Sequence, residues 1–197
     1  NVAAQDLGSV FIDAFQLEEQ SYATSYIPTN GATNTRLQDI ATNSGNSTLI
    51  NSTEGVLYGE IAALADDSTN RQITLSDGTD DNRIVLKYDN QSNIIQSFNR
   101  VGNVETAFLG ATVSDITQFS KIAIKFKQND YALWIDGVEV DTDNSSTTFP
   151  TNTLNELSFG VSSSFYGKNK TLAVYKEALT DANLRCLTYP NPVATTF

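Results

Sequence analysis

Histidine is absent from all 197 residues. Its absence removes the usual general base and the commonest zinc ligand, and no Ser–His–Asp triad can be built. The groups left to do chemistry are carboxylates, amides, hydroxyls and a single indole. Asp77, Asp80 and Asp81, followed by Asn82, crowd one short stretch with the hard oxygen donors that Ca2+ takes. The spacing and the lack of a closing Glu exclude an EF-hand loop. A solvated turn closed by Asx hydrogen bonds is the simpler reading, so calcium is an option and the expectation is that none is required. Glu139, Asp141 and Asp143 alternate along a second stretch; paired carboxylates about 5 Å apart would suit retaining glycoside hydrolysis. The lone cysteine, Cys186, has Leu184 and Leu187 nearby and no neighbouring base, so it reads as a buried small hydrophobe rather than a nucleophile.

The single tryptophan, Trp134, depends on the elements around it. Asp136-Gly137 is a strong two-residue hairpin signal, because a type I′ turn needs positive φ at both central positions. It places Ile135 opposite Val138, Trp134 opposite Glu139 and Leu133 opposite Val140. A preceding turn at Gln128-Asn129 places Ile124 opposite Leu133 and Ala123 opposite Trp134. One face then carries Ile122, Ile124, Phe126, Tyr131, Leu133, Ile135, Val138 and Val140 and is the core face. The other carries Lys121, Ala123, Lys125, Trp134, Asp136 and Glu139. An indole on the non-core face, with Ala123 beside it and Lys121, Lys125 and Glu139 around it, suits stacking against a sugar ring. Equally, another segment could cover it, the stretch SYATSYIPT (21–29) being the candidate.

Alternating segments bounded by turn residues continue along the chain. Strands are expected at Val10–Leu17, Val56–Ala63, Arg71–Ser76, Arg83–Tyr88, Asn93–Asn99, Val104–Leu109, Lys121–Lys127, Tyr131–Ile135, Val138–Asp141, Leu157–Val161 and Thr171–Lys176. Only Thr180–Leu187 reads as a helix, with Thr180 as N-cap and Asp181 in its first turn. So many short strands with turns between them indicate an all-β antiparallel sandwich of jelly-roll type.

The formal charge is −11, from 12 basic and 23 acidic residues. Phosphate backbones would be repelled, so no nucleic-acid partner is expected. No apolar run approaches the roughly 18 residues of a transmembrane helix, so no membrane insertion is expected either. One cysteine allows no internal disulfide. The missing initiator Met suggests a fragment or a processed product.

The run AFQLEEQSYATSYIPTNGATNTR (14–36) resembles a junction frequent in bacteriophage tail-fibre and other virion structural proteins, where such a phrase closes one β-sandwich and opens the next. The remainder of the chain resembles a laminin G-like domain of the concanavalin A-like lectin/glucanase superfamily. The stretches that carry this likeness are ITLSDGTDDNRIVL (73–86), KIAIKFKQNDYALWIDGVEV (121–140), NELSFGVSS (155–163) and EALTDANLRCLT (177–188). The likeness implies a strand and docked linker over 1–45, with Tyr22, Tyr26 and Ile27 as anchors. It implies a concanavalin A-like sandwich over 46–188 and a tail over 189–197. Hydrolytic members of the superfamily carry a Glu-x-Asp-x-(x)-Glu strand; here Asp143 or Asn144 stands in the last place, and the segment reads as hairpin surface charge.

The resemblance therefore implies a non-enzymatic virion domain, on a tail or capsid fibre, displayed for attachment to host-surface glycans. Its partners would be a cell-surface polysaccharide and other virion proteins. A homotrimer is compatible with a fibre, although no heptad stretch speaks for one. The alternatives are a purely structural virion module, or the carbohydrate-binding module of a secreted polysaccharide-degrading enzyme. The candidate sugar residues are Trp134, Glu139, Lys121 and Lys125; the candidate calcium ligands are Asp77, Asp80 and Asp81.

Overall fold

The computed structural model describes residues 44–160 and 163–190. Among them lie β1 (Glu54–Ala63), β2 (Arg71–Ser76), β3 (Arg83–Tyr88), β4 (Ile94–Val101), β5 (Val104–Thr112), β6 (Ser120–Lys127), β7 (Tyr131–Ile135), β8 (Val138–Asp143), β9 (Glu156–Ser158), β10 (Gly167–Tyr175) and α1 (Asp181–Thr188). Two antiparallel sheets result, ordered β10-β1-β6-β7-β8 and β5-β4-β3-β2-β9. They pack face to face as a sandwich of jelly-roll kind. The Val10–Leu17 strand, the anchors Tyr22, Tyr26 and Ile27, and the tail beyond Pro190 lie outside the described residues.

Alternation builds the core. Leu57, Ile122, Ile124, Phe126, Tyr131 and Leu133 meet Ile73, Leu75, Ile84, Leu86, Ile95 and Leu109 across the two inner faces, all nearly inaccessible to solvent. Each such side chain contributes about 1.5–3 kcal/mol by leaving water. At the Asp136-Gly137 turn the φ values are 49° and 86°, the pair that a type I′ turn demands. Ile135 faces Val138, Trp134 faces Glu139 and Ala123 faces Trp134, as the turn dictates.

One residue further along, the register departs from expectation. A bulge between Leu133 and Trp134 brings Asp141, not Val140, opposite Leu133. An extra residue on one strand shifts every later partner. Simple alternation predicts Val138 and Val140 in the core; instead they are solvent-exposed, at 59% and 36%. They sit on β8, the outermost strand of its sheet. The expected strand Leu157–Val161 also shortens to Glu156–Ser158, and Gly160 follows at φ 90°.

The helix begins where its cap predicts. The Thr180 hydroxyl accepts from the Asn183 N–H at 3.3 Å. Cys186 is exposed rather than buried. Helical geometry explains the difference: Leu184 and Thr188 are the buried residues of α1, four apart on one stripe, and position 186 lies nearly opposite.

Candidate functional site

Trp134 points away from the core, as the hairpin register requires, yet it is only 6% exposed. The cover is α1. Leu184 lies in one apolar cluster with Trp134, Val56, Tyr58, Ala123 and Ala132, flanked by Leu179 and Leu187. The helix end is fixed to the hairpin turn: the Gly137 N–H donates to Thr188 Oγ1 at 3.1 Å, and that hydroxyl donates to the Leu184 carbonyl at 2.8 Å. Trp134 therefore offers no ring face to a sugar. The other residues expected around it are similarly occupied or dispersed. Lys125 is buried and bridges Asp130 at 2.7 Å and Asp181 at 3.0 Å. Burial pulls its ammonium pKa down, but the two carboxylates outweigh that and hold it above its ordinary value. Lys121 Nζ donates to the Tyr189 carbonyl at 3.0 Å. Glu139 is exposed beside the covered ring.

The acidic loop is built as a turn. Asp77 Oδ1 accepts from the Thr79 N–H at 2.9 Å and its hydroxyl at 2.6 Å, and Oδ2 accepts from Asn82 Nδ2 at 2.8 Å. Asp80 is ion-paired with Arg83. The Asp81 carbonyl accepts from the Asn103 N–H at 2.8 Å. Asp77 and Asp80 turn carboxylate oxygens to these partners, while Asp81 is held through its backbone carbonyl, and no group of three or more His, Cys, Asp or Glu able to hold a metal ion occurs among the described residues.

Two carboxylates of β8 are also engaged. Asp141 Oδ2 accepts from the backbone N–H of Gly110 on β5 at 3.0 Å, and Asp143 Oδ1 accepts from the Ser145 N–H and hydroxyl at 2.7 and 2.8 Å. They tie backbone rather than face one another as an acid and a nucleophile.

A different constellation lies on the outer face of the sheet β5-β4-β3-β2-β9. The registers place Thr74, Val85, Phe98 and Phe108 in one row and Ser76, Arg83 and Arg100 in the next, with Glu105 beyond Arg100. Lys87 and Gln96 form a third pair. The two guanidinium groups lie over the Phe98 ring, with Arg83 Cζ at 5.2 Å and Arg100 Cζ at 5.8 Å from its centroid. Phe108, directly across from Phe98, is 50% exposed. Lys87 is tied to Asp89 at 2.8 Å. Thr74, Ser76, Arg83, Val85 and Phe98 of this face are buried, so Phe108 is the ring that it presents to solvent, at the β5 edge of the sheet. The sequence carried a signal for this row in the alternation of RIVLKY (83–88) and IIQSFNR (94–100), but only the strand registers bring Arg83 and Arg100 together.

Fold and geometry together define a lectin-like β-sandwich with a decorated sheet face. Residues 62–185 match the laminin G-like family described as the concanavalin A-like lectin/glucanases superfamily, and the chain belongs to that superfamily. No curated protein sequence matches the chain. Among solved structures, it is similar to the CBM40 module of the Ruminococcus gnavus IT-sialidase: TM-score 0.57, 17% identity, 75% of this chain and 94% of that one. It is also similar to domain 4 of an extracellular arabinanase from Geobacillus stearothermophilus, solved with arabinotriose: TM-score 0.56, 14% identity, 73% and 70%. A third likeness is to a heptameric SAP-like pentraxin from Limulus polyphemus: TM-score 0.60, 11% identity, 77% and 76%. At these identities the likeness is one of fold.

Proposed function

We propose that this chain is a non-enzymatic glycan-binding domain of a virion fibre, and that it binds sugar at the β5 edge of the sheet β5-β4-β3-β2-β9, around Phe108. The observation that carries the reading is the half-exposed Phe108 set across from Phe98, with Arg83 and Arg100 over the latter. Aromatic rings pack against the apolar faces of sugars, while neighbouring guanidinium and amide groups take the hydroxyls. The same fold carries sugar in its neighbours: the R. gnavus module was solved bound to alpha2,3 sialyllactose, and the arabinanase domain with arabinotriose. Engagement of Asp141 and Asp143 with backbone supports binding without catalysis. The virion setting rests on the phrase QLEEQSYATSYIPT (16–29), which resembles a tail-fibre junction.

The test is a glycan array with the recombinant chain, followed by titration of each hit against Phe108→Ala. Binding lost in that variant while its melting temperature is kept supports the reading. A chain that binds no glycan at millimolar concentration, or whose binding ignores Phe108, refutes it. Antibodies raised to the domain should label virion fibres; labelling of a secreted enzyme instead would move the module to that setting.

A further inference from the structure

We propose that the chain carries a second sugar seat, a small polar pocket at the edge of the sandwich away from Phe108, which takes a single sugar residue. The inference rests on the glycan-binding reading above and adds a site to it. Three stretches line a cavity of about 250 Å3: the turn before β1, the turn before β9, and Lys176 just after β10. Residues 46–50 form a tight turn, in which the Leu49 and Ile50 N–H groups donate to the Asn46 carbonyl at 3.0 and 2.9 Å. Asn51 ties the approach to β1 to the end of β10, its Nδ2 donating to the Lys176 carbonyl at 2.9 Å. Ser52 Oγ accepts from the Leu154 N–H at 2.9 Å and so anchors the loop that leads into β9. Lys176 Nζ donates to the Thr48 carbonyl at 2.5 Å. The walls are thus cross-linked before any ligand arrives, which lowers the ordering cost of binding.

The groups left free set the ligand. The side chains of Ser47, Thr151 and Asn152 line the cavity without a hydrogen bond to any described residue, and Thr151 and Asn152 are exposed. A hydroxyl both donates and accepts, and an amide offers two donors and an acceptor. No carboxylate is among the described lining residues, so a Ca2+ ion finds no charged oxygen. Ile50 is the one large apolar side chain among them, too little surface to hold a hydrocarbon. An inorganic anion would use the donors and leave the amide carbonyl idle. A polyol uses both kinds of group. The volume falls below the roughly 300–1,000 Å3 of a drug-sized site, which limits the occupant to one ring. β5 and β9 are the two outermost strands of their sheet, four strand spacings or about 19 Å apart. The two seats therefore take separate sugar residues, and a surface dense in glycan can fill both at once.

The experiment follows the isotope-labelled chain by NMR while methyl glycosides of glucose, galactose, mannose, fucose and N-acetylglucosamine are added singly, with glycerol as the control. At least one glycoside should shift the Asn152 side-chain amide and the Ser47 and Asn51 backbone amides with a millimolar Kd, and glycerol should not. Phe108→Ala should leave those shifts unchanged. Ser47→Ala combined with Asn152→Gly should raise that Kd about tenfold, as the loss of two neutral hydrogen-bonding partners allows. Glycine keeps the left-handed backbone of position 152, where φ is 63°. Ser47→Ala alone, which leaves that turn untouched, should raise the Kd about threefold and decides the matter if the double variant does not fold. Shifts at Phe108 without shifts at the pocket overturn the second seat and leave the glycan-binding reading standing. No shift at either place overturns both. Equal shifts with glycerol, or a Kd that ignores the substitutions, also sink the seat.

Discussion

The hydroxyls of Ser97 and Tyr131 lie 2.5 Å apart in the middle of the core, one from each sheet. Both residues are inaccessible to solvent, so this hydrogen bond joins the two layers through otherwise apolar packing. Removing one partner leaves the other buried and unpaired, which costs about 1–3 kcal/mol. Tyr131→Phe should therefore lower the unfolding free energy by that amount in a urea titration. Ser97→Ala combined with Tyr131→Phe should recover part of the loss. A double variant as unstable as the sum of the singles would mean that the hydroxyls do not interact.

The same burial sets an alkaline limit. Burial pushes the Tyr131 hydroxyl pKa up, with the Ser97 hydrogen bond opposing, and burial pushes Tyr88 up as well. A group whose pKa is raised on folding contributes stability below its unfolded value, about 10 for tyrosine, and that contribution is lost as pH rises beyond it. Melting temperature should decline above pH 10, and Tyr131→Phe should flatten the decline. An identical alkaline slope in that variant would contradict this assignment.

Trp134 now has a structural role to test. Truncating a large buried aromatic costs about 3–5 kcal/mol, so Trp134→Ala should destabilise by that much, and Leu184→Ala should open the ring to solvent. Acrylamide should quench the native indole poorly and the Leu184→Ala indole well. Strong quenching of the unmodified chain would place the ring in solvent after all.

Lys125 is held between Asp130 and Asp181, which are themselves partly exposed. Breaking a buried ion pair by removing its anions is worse than replacing the cation with an apolar chain. Asp130→Asn with Asp181→Asn should cost about 1–3 kcal/mol, more than Lys125→Met. The reverse order in chemical denaturation would show that the ammonium, not its pairing, is what the fold needs.

The acidic turn should answer to pH and not to chelator. Burial tends to raise the Asp77 pKa, but hydrogen bonds from Thr79 and Asn82 overcome it and leave the carboxyl below its usual value. Such a group contributes stability above its unfolded pKa, about 3.9, and loses it as pH falls through the lowered one. Asp77→Asn should lower the melting temperature at pH 7 and reduce the acid sensitivity. EDTA should leave the melting temperature unchanged; a drop reversed by Ca2+ would mean the loop is a metal site.

Local chemistry made most of the strands legible. The boundaries of β2, β3 and β7 follow the alternation of RQITLS, RIVLKY and YALWI between turn residues, and Asp136-Gly137 fixes the neighbouring pairs by its positive φ values. The exposure of Val140 was not legible, because nothing in the residue order marks the bulge at Leu133 that displaces it. The covering of Trp134 was half legible: its direction follows from the hairpin, while the identity of its cover depends on where α1 returns, a long-range matter. The Arg83–Arg100 pair was hidden for a similar reason. No two-residue turn fixes the β3–β4 register, and each arginine taken alone looks like an ordinary outward-facing strand residue.

The bond from the Gly110 N–H to Asp141 has a consequence for life at close quarters. β5 and β8 are the outermost strands of their sheets and lie side by side. An unpaired edge invites a strand from another molecule. Here one outward-facing backbone donor of β5 is already taken by a side chain of β8, and the carboxylate that takes it would repel its own counterpart on a second copy. Pairing of β5 with the same edge of a second copy is thereby disfavoured.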